Sequence, residues 1–197
     1  MRLAAGLLLL GLLAGCATPA PVTDPSVPVF TPQAAPDAAA TGRQVPPTCD
    51  ELVTLTEIKT ILATMITGQT LPIVGVPQEN IARTARLDCY YGVPPGQSVA
   101  AAAVWIGLTS YADGESARER LDNTVADETE AGATESEVEV GPTAGTLLAG
   151  DRPMVVAMRG TTTVVVATLA GLVRDDHAGA LLGQLADLAL TPREPAG

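Results

Sequence analysis

MVVAMRGTTTVVVATL, residues Met154–Leu169, carries the clearest fold signal in this chain of 197 residues. Apolar and β-branched residues fill two short runs, Met154–Arg159 and Thr162–Leu169, and such runs favour β-strands. Gly160-Thr161 lies between the runs, and a two-residue connection that begins with glycine is typical of a tight hairpin turn. The stretch therefore predicts two paired antiparallel strands.

The chain before this hairpin contains further strand patterns. They are predicted at Ser136–Val140, at Thr146–Ala149, and as an earlier pair at Arg86–Gly92 and Val99–Thr109. The sequence Pro94-Pro95-Gly96-Gln97 separates the earlier pair and predicts a turn, so these two strands should also form a hairpin. The Pro- and Gly-containing stretch before Arg86 is predicted as a loop.

Three helices complete the pattern, at 54–66, 113–127 and 175–189. Thr54 and Glu57 have the spacing of a capping box, Asp113 is the expected N-cap of the second helix, and Asp175 or Asp176 that of the third. The resulting order, α-β-β-α-β-β-β-α, predicts an α+β fold in which helices cover an antiparallel sheet. We assign this single domain to residues 48–190 and expect residues 191–197 to be a disordered tail.

The N-terminus has the pattern of a bacterial lipoprotein signal. A short basic start and an apolar run precede Leu13-Ala14-Gly15-Cys16, which places small residues directly before a cysteine. We expect residues 1–15 to be removed between Gly15 and Cys16, and Cys16 to carry acyl chains such as palmitate. Ordinary secretion with cleavage near Ala20, or a retained anchor, are the alternatives. The predicted location is the extracytoplasmic face of the cell membrane.

Residues 16–47 have the composition of a stalk. Eight prolines lie between Ala17 and Thr48, with alanine, threonine and serine among them and no hydrophobic periodicity. Such a segment buries too little apolar surface to offset its ordering entropy, and proline favours extended conformations. The sequence therefore predicts a disordered stalk between the acylated Cys16 and the domain.

The charge of the chain restricts its partners. Twenty-two acidic residues against 11 basic ones give a formal net charge of −11. A chain this acidic is repelled by nucleic acid, which excludes that class of partner, and by anionic lipid headgroups, so the acyl chains must hold it at the membrane. A single lysine beside abundant alanine and arginine is typical of the GC-rich genomes of actinobacteria.

Cys49 and Cys89 remain once Cys16 is acylated. An even pair of cysteines in an exported chain predicts a disulfide, which would tie the start of the first helix to the first strand. A redox-active thiol or a metal ligand is the alternative, but the chain has no C-x-x-C spacing.

The same region resembles a known class of domains. Cys49-Asp50-Glu51-Leu52, the helix that begins Leu55-Thr56-Glu57-Ile58, and Leu87-Asp88-Cys89-Tyr90-Tyr91 are similar to small actinobacterial secreted lipoprotein domains of unknown function. The layout is also similar to the extracellular sensor domains of actinobacterial receptor-type serine/threonine kinases. The resemblance implies that Cys49 and Cys89 are the disulfide pair, and it implies no chemistry. The chain departs from it in a long acidic loop between Ala126 and Gly141.

Motifs for catalysis or metal binding are absent from the sequence. His177 is the only histidine, and a solvent-exposed position in the first turn of the last helix is its expected place. The acidic residues between Asp113 and Glu139 lack the spacing of a calcium loop, and glutamate at alternate strand positions produces one solvated face. We therefore expect no enzymatic activity, no cofactor and no metal. A hydrolase using two carboxylates is the remaining catalytic alternative.

The aromatic residues are the best indication of a binding surface. Cys89 must face the first helix to reach Cys49, so Tyr90 points to the opposite side of the sheet. The face of Trp105 depends on the hairpin register. Trp105 is therefore either buried under the first helix or, with Tyr90, Ala101 and Ala103, part of a ligand groove. Lipid would suit such a groove.

These observations predict a lipid-anchored envelope protein whose domain binds a ligand or partner without catalysis. A lipid, an envelope fragment or another secreted protein fits that role. The alternative is an accessory lipoprotein that docks a membrane complex.

Overall fold

The computed structural model describes residues 42–193 of the chain. The predicted signal peptide, the acylation site Cys16, the stalk up to residue 41 and the tail from residue 194 lie outside the described residues and stay predictions. Within 42–193, no helix is long and apolar enough to cross a membrane.

Seven strands form one antiparallel sheet, which confirms the predicted α+β class. In chain order they are β1 (Gln69–Gly75), β2 (Arg83–Val93), β3 (Val104–Tyr111), β4 (Thr134–Val140), β5 (Thr143–Ala149), β6 (Met154–Arg159) and β7 (Thr162–Thr168). Their order across the sheet is β1-β2-β3-β7-β6-β5-β4, so the β6–β7 hairpin lies inside the sheet. The edges are β1 and β4.

Four α-helices and two 3₁₀ turns complete the described chain. The helices are α1 (Cys49–Leu52), α2 (Leu55–Leu62), α3 (Gly114–Glu130) and α4 (Asp175–Leu190), and the 3₁₀ turns are Glu79–Ile81 and Val99–Ala101. The predicted capping box is present at α2, where the Thr54 side chain accepts from the Glu57 amide and the Glu57 carboxylate accepts from the Thr54 amide. Asp113 caps α3, as its position predicted.

The helices divide between the two faces of the sheet. Alternate residues of β2 point to opposite sides, and Cys89 joins the large apolar core built with α1, α2 and α4. We call this side the disulfide face. The opposite side, which we call the α3 face, carries a smaller core made with α3 around Leu148, Met154 and Val156.

A disulfide and a tyrosine fix α1 to the sheet. Cys49 and Cys89 are bonded, with their Cα atoms 5.6 Å apart. The fully buried Tyr91 donates its hydroxyl to the carbonyl oxygen of Val53 at 2.6 Å, and burial raises its pKa far above the ordinary tyrosine value. The bond and the tyrosine hold α1 on the disulfide face.

A buried arginine joins the beginning and the end of the described domain. The Arg43 side chain donates to the carbonyl oxygen of Ala189, in the last turn of α4, at 2.7 Å, and to that of Leu52, in α1, at 3.4 Å. Its own backbone carbonyl accepts from the Thr162 hydroxyl at 2.8 Å. Burial lowers the pKa of Arg43 from the ordinary arginine value. One guanidinium thus satisfies carbonyl groups at the ends of two helices.

Two segments differ from the strand predictions. Gln69–Gly75, predicted as part of a loop, is β1; this strand lies at the sheet edge, where Pro72 is tolerated. The strand predicted from Val99 begins only at Val104, because Val99–Ala101 forms a 3₁₀ turn after the Pro94–Gln97 turn. Ala101 therefore lies in that turn, and Ala103 lies ahead of the strand.

The acidic segment and the ends of two helices also differ from the predictions. The long acidic loop predicted after Ala126 is the end of α3 followed by β4. The helix predicted at 54–66, which is α2, ends at Leu62, because Ala63 adopts the left-handed conformation with φ of 48°. The last helix is capped by Arg174, without a side-chain hydrogen bond, so neither predicted aspartate is its N-cap.

Candidate functional site

Trp105 lies on the α3 face, opposite the first helix. In the β2–β3 register Trp105 pairs with Tyr90, which points away from Cys89 and the disulfide. The two rings are stacked, with centroids 6.0 Å apart and planes inclined by 6°. This register excludes the alternative in which Trp105 is buried under the first helix.

Asp88 forms a buried polar cluster with Arg86 and Trp105. Asp88 is only 4% exposed. Its Oδ2 accepts from Arg86 Nε at 2.6 Å, and its Oδ1 accepts from Arg86 Nη2 and from Trp105 Nε1, each at 3.1 Å. Burial alone would lower the pKa of Arg86, but the hydrogen bonds and the charge of Asp88 raise it above the ordinary value. Arg86 is thus held as a cation in a fixed orientation.

Gly107 provides the space for this cluster. It lies opposite Asp88 on β3, and a Cβ atom there would stand 2.7 Å from Asp88 Oδ1. That separation is too short for a carbon and a carboxylate oxygen, so any side chain at this position would displace the carboxylate. The missing side chain allows Asp88 to lie across the sheet and reach the indole of Trp105.

A cavity of about 210 Å³ lies between this cluster and α3. The apolar side chains with which α3 packs on the sheet form only a narrow stripe, Ala117, Leu121 and Val125. Beside the stripe, the polar side chains of Arg120 and Thr124 line the cavity from above. The weak apolar character of α3 therefore explains why a space remains beneath it.

Tyr111 marks the more basic end of the cavity. Burial raises the pKa of Tyr111 above its ordinary value, while a hydrogen bond with Thr163 and the positive charges of Arg120, Arg83 and Arg86 act in the opposite direction. Arg83 pairs with Tyr111 across β2 and β3, and Arg86 and Arg120 line the same cavity as Tyr111.

The predicted groove residues fall in different places. Trp105 lines the cavity and Tyr90 stacks against it. Ala101 lies in the 3₁₀ turn and Ala103 packs against the core of the disulfide face, so neither is among the residues that line the cavity. The lining is mixed polar and apolar, which differs from the apolar groove predicted for a lipid.

Sequence reasoning missed the polar part of the site, although its signal was present. Arg86, Asp88 and Tyr90 alternate along β2 on the side away from Cys89. Side chains alternate between the two faces along a strand, and this alternation, which placed Tyr90 opposite Cys89, places Arg86 and Asp88 on the same face as Tyr90. The contribution of α3 had no such signal, because Arg120 and Thr124 resemble ordinary solvent-facing helix residues.

The histidine and the glutamates lie away from the cavity. The His177 side chain is 61% exposed and lies in the first turn of α4, which covers the disulfide face. Glu135, Glu137 and Glu139 are exposed on the β4 edge. Within residues 42–193, no group of three or more His, Cys, Asp or Glu side chains is arranged to hold a metal ion.

Comparisons with known proteins return only weak structural likeness. No protein-family model matches the chain, and no curated protein matches it. The structure is similar to the extracellular domain of PknH from Mycobacterium tuberculosis with a TM-score of 0.43 and 13% sequence identity, over 71% of this chain and 93% of that one. A likeness at this level transfers neither fold nor function, so the interpretation below depends on the chain's own residues.

Proposed function

We propose that this chain is a lipid-anchored, extracytoplasmic binding domain without enzymatic activity, whose ligand occupies the cavity beneath α3. The observation that carries the proposal is the cavity itself, a space of about 210 Å³ bounded by a preformed polar cluster, with an indole ring in its wall. Binding sites combine apolar walls with a few fixed polar groups in this way.

The buried disulfide supports an extracytoplasmic location. Cys49 is 6% exposed and Cys89 is fully buried, so the bond lies in the core and not at the surface. Structural disulfides persist in oxidising compartments and are rare in the cytosol. The lipoprotein signal that ends at Cys16 also predicts the extracytoplasmic side of the membrane.

The chemistry of the cavity favours binding over catalysis. Both carboxylate oxygens of Asp88 accept hydrogen bonds, from Arg86 and Trp105, so the carboxylate is engaged in fixing the arginine. A general base needs to reach a substrate proton, and Asp88 points at its own partners. The only histidine belongs to the helix on the opposite face of the sheet.

The single tryptophan makes occupancy of the cavity measurable. Trp105 is the only Trp in the chain, and it lines the cavity, so a bound ligand should change its emission. Thr124→Phe places a ring in the cavity from α3 and should prevent binding. Thr129→Phe is the matched control, because Thr129 lies on the same helix, is exposed and does not line the cavity.

Native mass spectrometry of the full chain purified from its own host tests the proposal. We expect a small molecule to co-purify with the wild type and with Thr129→Phe, but not with Thr124→Phe. Loss of the molecule on extraction should shift the emission of Trp105. Recovery of a bare wild-type chain, or of the same molecule with Thr124→Phe, would contradict the proposal.

A second candidate function, docking to a membrane complex, is favoured by the edge strand β1. Ile73, Val74 and Val76 are exposed in or beside it, by 44, 71 and 69%, whereas the other edge, β4, carries exposed glutamates. Charged edges discourage strand pairing, and an uncharged edge lacks that protection. A photo-crosslinker at position 74 should then capture one defined membrane protein, and a crosslinker at 137 on β4 should not.

A further inference from the structure

The arginines of this acidic chain are unevenly placed around the cavity. The whole chain has 11 basic residues against 22 acidic ones. Arg86 and Arg120 nevertheless line the same cavity as Tyr111, and Arg83 pairs with Tyr111 in the β2–β3 register. Arg83 and Arg120 form no ion pair with any residue between 42 and 193. Of the two arginines that line the cavity, Arg86 is paired with Asp88, whereas Arg120 has no ion pair within residues 42–193, and a bound anion would explain an unpaired guanidinium in a cavity wall.

Arg86 is oriented to receive such an anion. Its Nε and Nη2 atoms are taken by Asp88, which fixes the plane of the guanidinium and leaves Nη1 outside that pair. Arg120 lines the same cavity from α3, on the opposite wall. Two guanidinium groups on facing walls, one of them held rigid, suit a carboxylate, because the planar donors of arginine match the carboxylate oxygens.

The remaining walls favour an apolar body on the same ligand. Leu121 from α3, and Val156 and Val165 from the sheet, line the cavity together with the ring of Trp105. A dry cavity of about 150 Å³ is known to hold benzene, so about 210 Å³ accommodates a ring with one small substituent.

Acidic residues at the end of the cavity away from Arg120 disfavour a ligand with a second negative charge. The chain leaves β3 at Tyr111 and begins α3 at Gly114, so α3 runs back over the sheet towards Trp105. Asp127 and Glu128 line the cavity about 10–12 Å further along α3 than Arg120, at 1.5 Å per residue. Their charge repels a second anionic group at that end.

We propose that the cavity binds a small monocarboxylic acid with an apolar or aromatic body, its carboxylate between Arg86 and Arg120 and its body against Trp105. This assignment rests on the proposed binding function and names the ligand class for that site.

A set of four probes tests the assignment on the full chain, with Trp105 emission as the signal. Benzoate should bind saturably. Benzamide has the same ring without the negative charge, benzylammonium reverses the charge, and inorganic phosphate supplies an anion without an apolar body, so all three should bind at least about tenfold more weakly. Equal affinity for benzamide or benzylammonium would overturn the proposal, and so would tighter binding of phosphate.

A matched pair of arginine variants locates the carboxylate. Arg120→Gln should weaken benzoate binding by about tenfold or more, because it removes a charge-assisted hydrogen bond. Arg118→Gln removes the same charge from the same helix at an exposed position outside the cavity lining, and it should change the affinity by less than about twofold. Equal effects of the two substitutions would overturn the proposed location.

The two proposals fail in different ways. If benzoate does not bind while a host molecule still co-purifies with the wild type and is lost in Thr124→Phe, the ligand class is wrong and the binding function stands. If neither benzoate nor any host molecule binds, both proposals are wrong.

Discussion

Replacing Asp88 with asparagine tests whether the polar cluster on the α3 face stabilises the domain. The substitution keeps the shape of the side chain but removes the charge that faces Arg86, and an amide NH₂ turned towards the guanidinium cannot accept its hydrogen bonds. Breaking a buried ion pair by removing one partner costs about 3–5 kcal/mol. The Asp88 side chain is 6% exposed but that of Arg86 is 33% exposed, so solvent screens part of the loss.

We therefore expect Asp88→Asn to lower the free energy of unfolding by about 2 kcal/mol, with a melting temperature roughly 4–8 °C lower for a domain of this size. Asp187→Asn is the matched control, because Asp187 pairs with Arg159 at 2.9 Å and its side chain is 37% exposed. That pair should contribute less than about 1 kcal/mol.

Urea denaturation followed by far-UV circular dichroism measures both variants without depending on Trp105, whose own environment changes in Asp88→Asn. A loss below about 0.5 kcal/mol for Asp88→Asn, or equal losses for the two variants, would refute the reasoning that burial makes the Asp88 pair the stronger one.

Three further predictions concern other parts of the chain. Cys16→Ser should move the protein from the membrane to the soluble fraction, and unchanged fractionation would refute acylation at this residue. Cys49 and Cys89 should resist alkylation unless first reduced, and replacing both with serine should cost about 4 kcal/mol in the chain-entropy model for a separation of 40 residues; a fully labelled native protein would exclude the bond. Burial raises the pKa of Glu57, but hydrogen bonds from Arg193 and Thr54 outweigh it and lower the pKa. The difference in free energy of unfolding between wild type and Glu57→Gln should therefore be at its full value at neutral pH and disappear as the pH falls through the folded-state pKa of Glu57. A difference that grows on acidification would contradict this sign.

The parts of the fold that the sequence predicted are those in which local pattern and tertiary position agree. The predicted strand Met154–Arg159 has the bounds of β6, and Thr162–Leu169 exceeds β7 by one residue. Both strands lie inside the sheet, where continuous apolar residues are needed on both faces. The strand β1 was missed because its sequence, QTLPIVG, contains the residues of a loop, and only its place at an edge permits Pro72.

The site was harder to predict, for two physical reasons. The face of Trp105 depended on the pairing of β2 with β3, and a shift of one residue reverses every side chain, so local pattern could not decide it. The cavity also needs α3 to cover one part of the sheet and leave another open. That arrangement depends on how a helix with few apolar residues lies across the sheet, which no short motif encodes.

The contacts of Arg43 have a mechanical consequence if the stalk and acyl anchor proposed for this chain are present. Arg43 follows Gly42 directly. Its side chain donates a hydrogen bond to the last turn of α4, and its backbone carbonyl accepts one from Thr162 of β7. Tension on the chain ahead of Gly42 is therefore transmitted first into α4 and the inner strands on the disulfide face. The cavity shares β7 with this path through Thr163 and Val165, but its other wall, α3, lies on the opposite face and makes none of the Arg43 contacts. If the chain is anchored through Cys16 as proposed, a pull at that end would reach the cavity through β7 and not through α3.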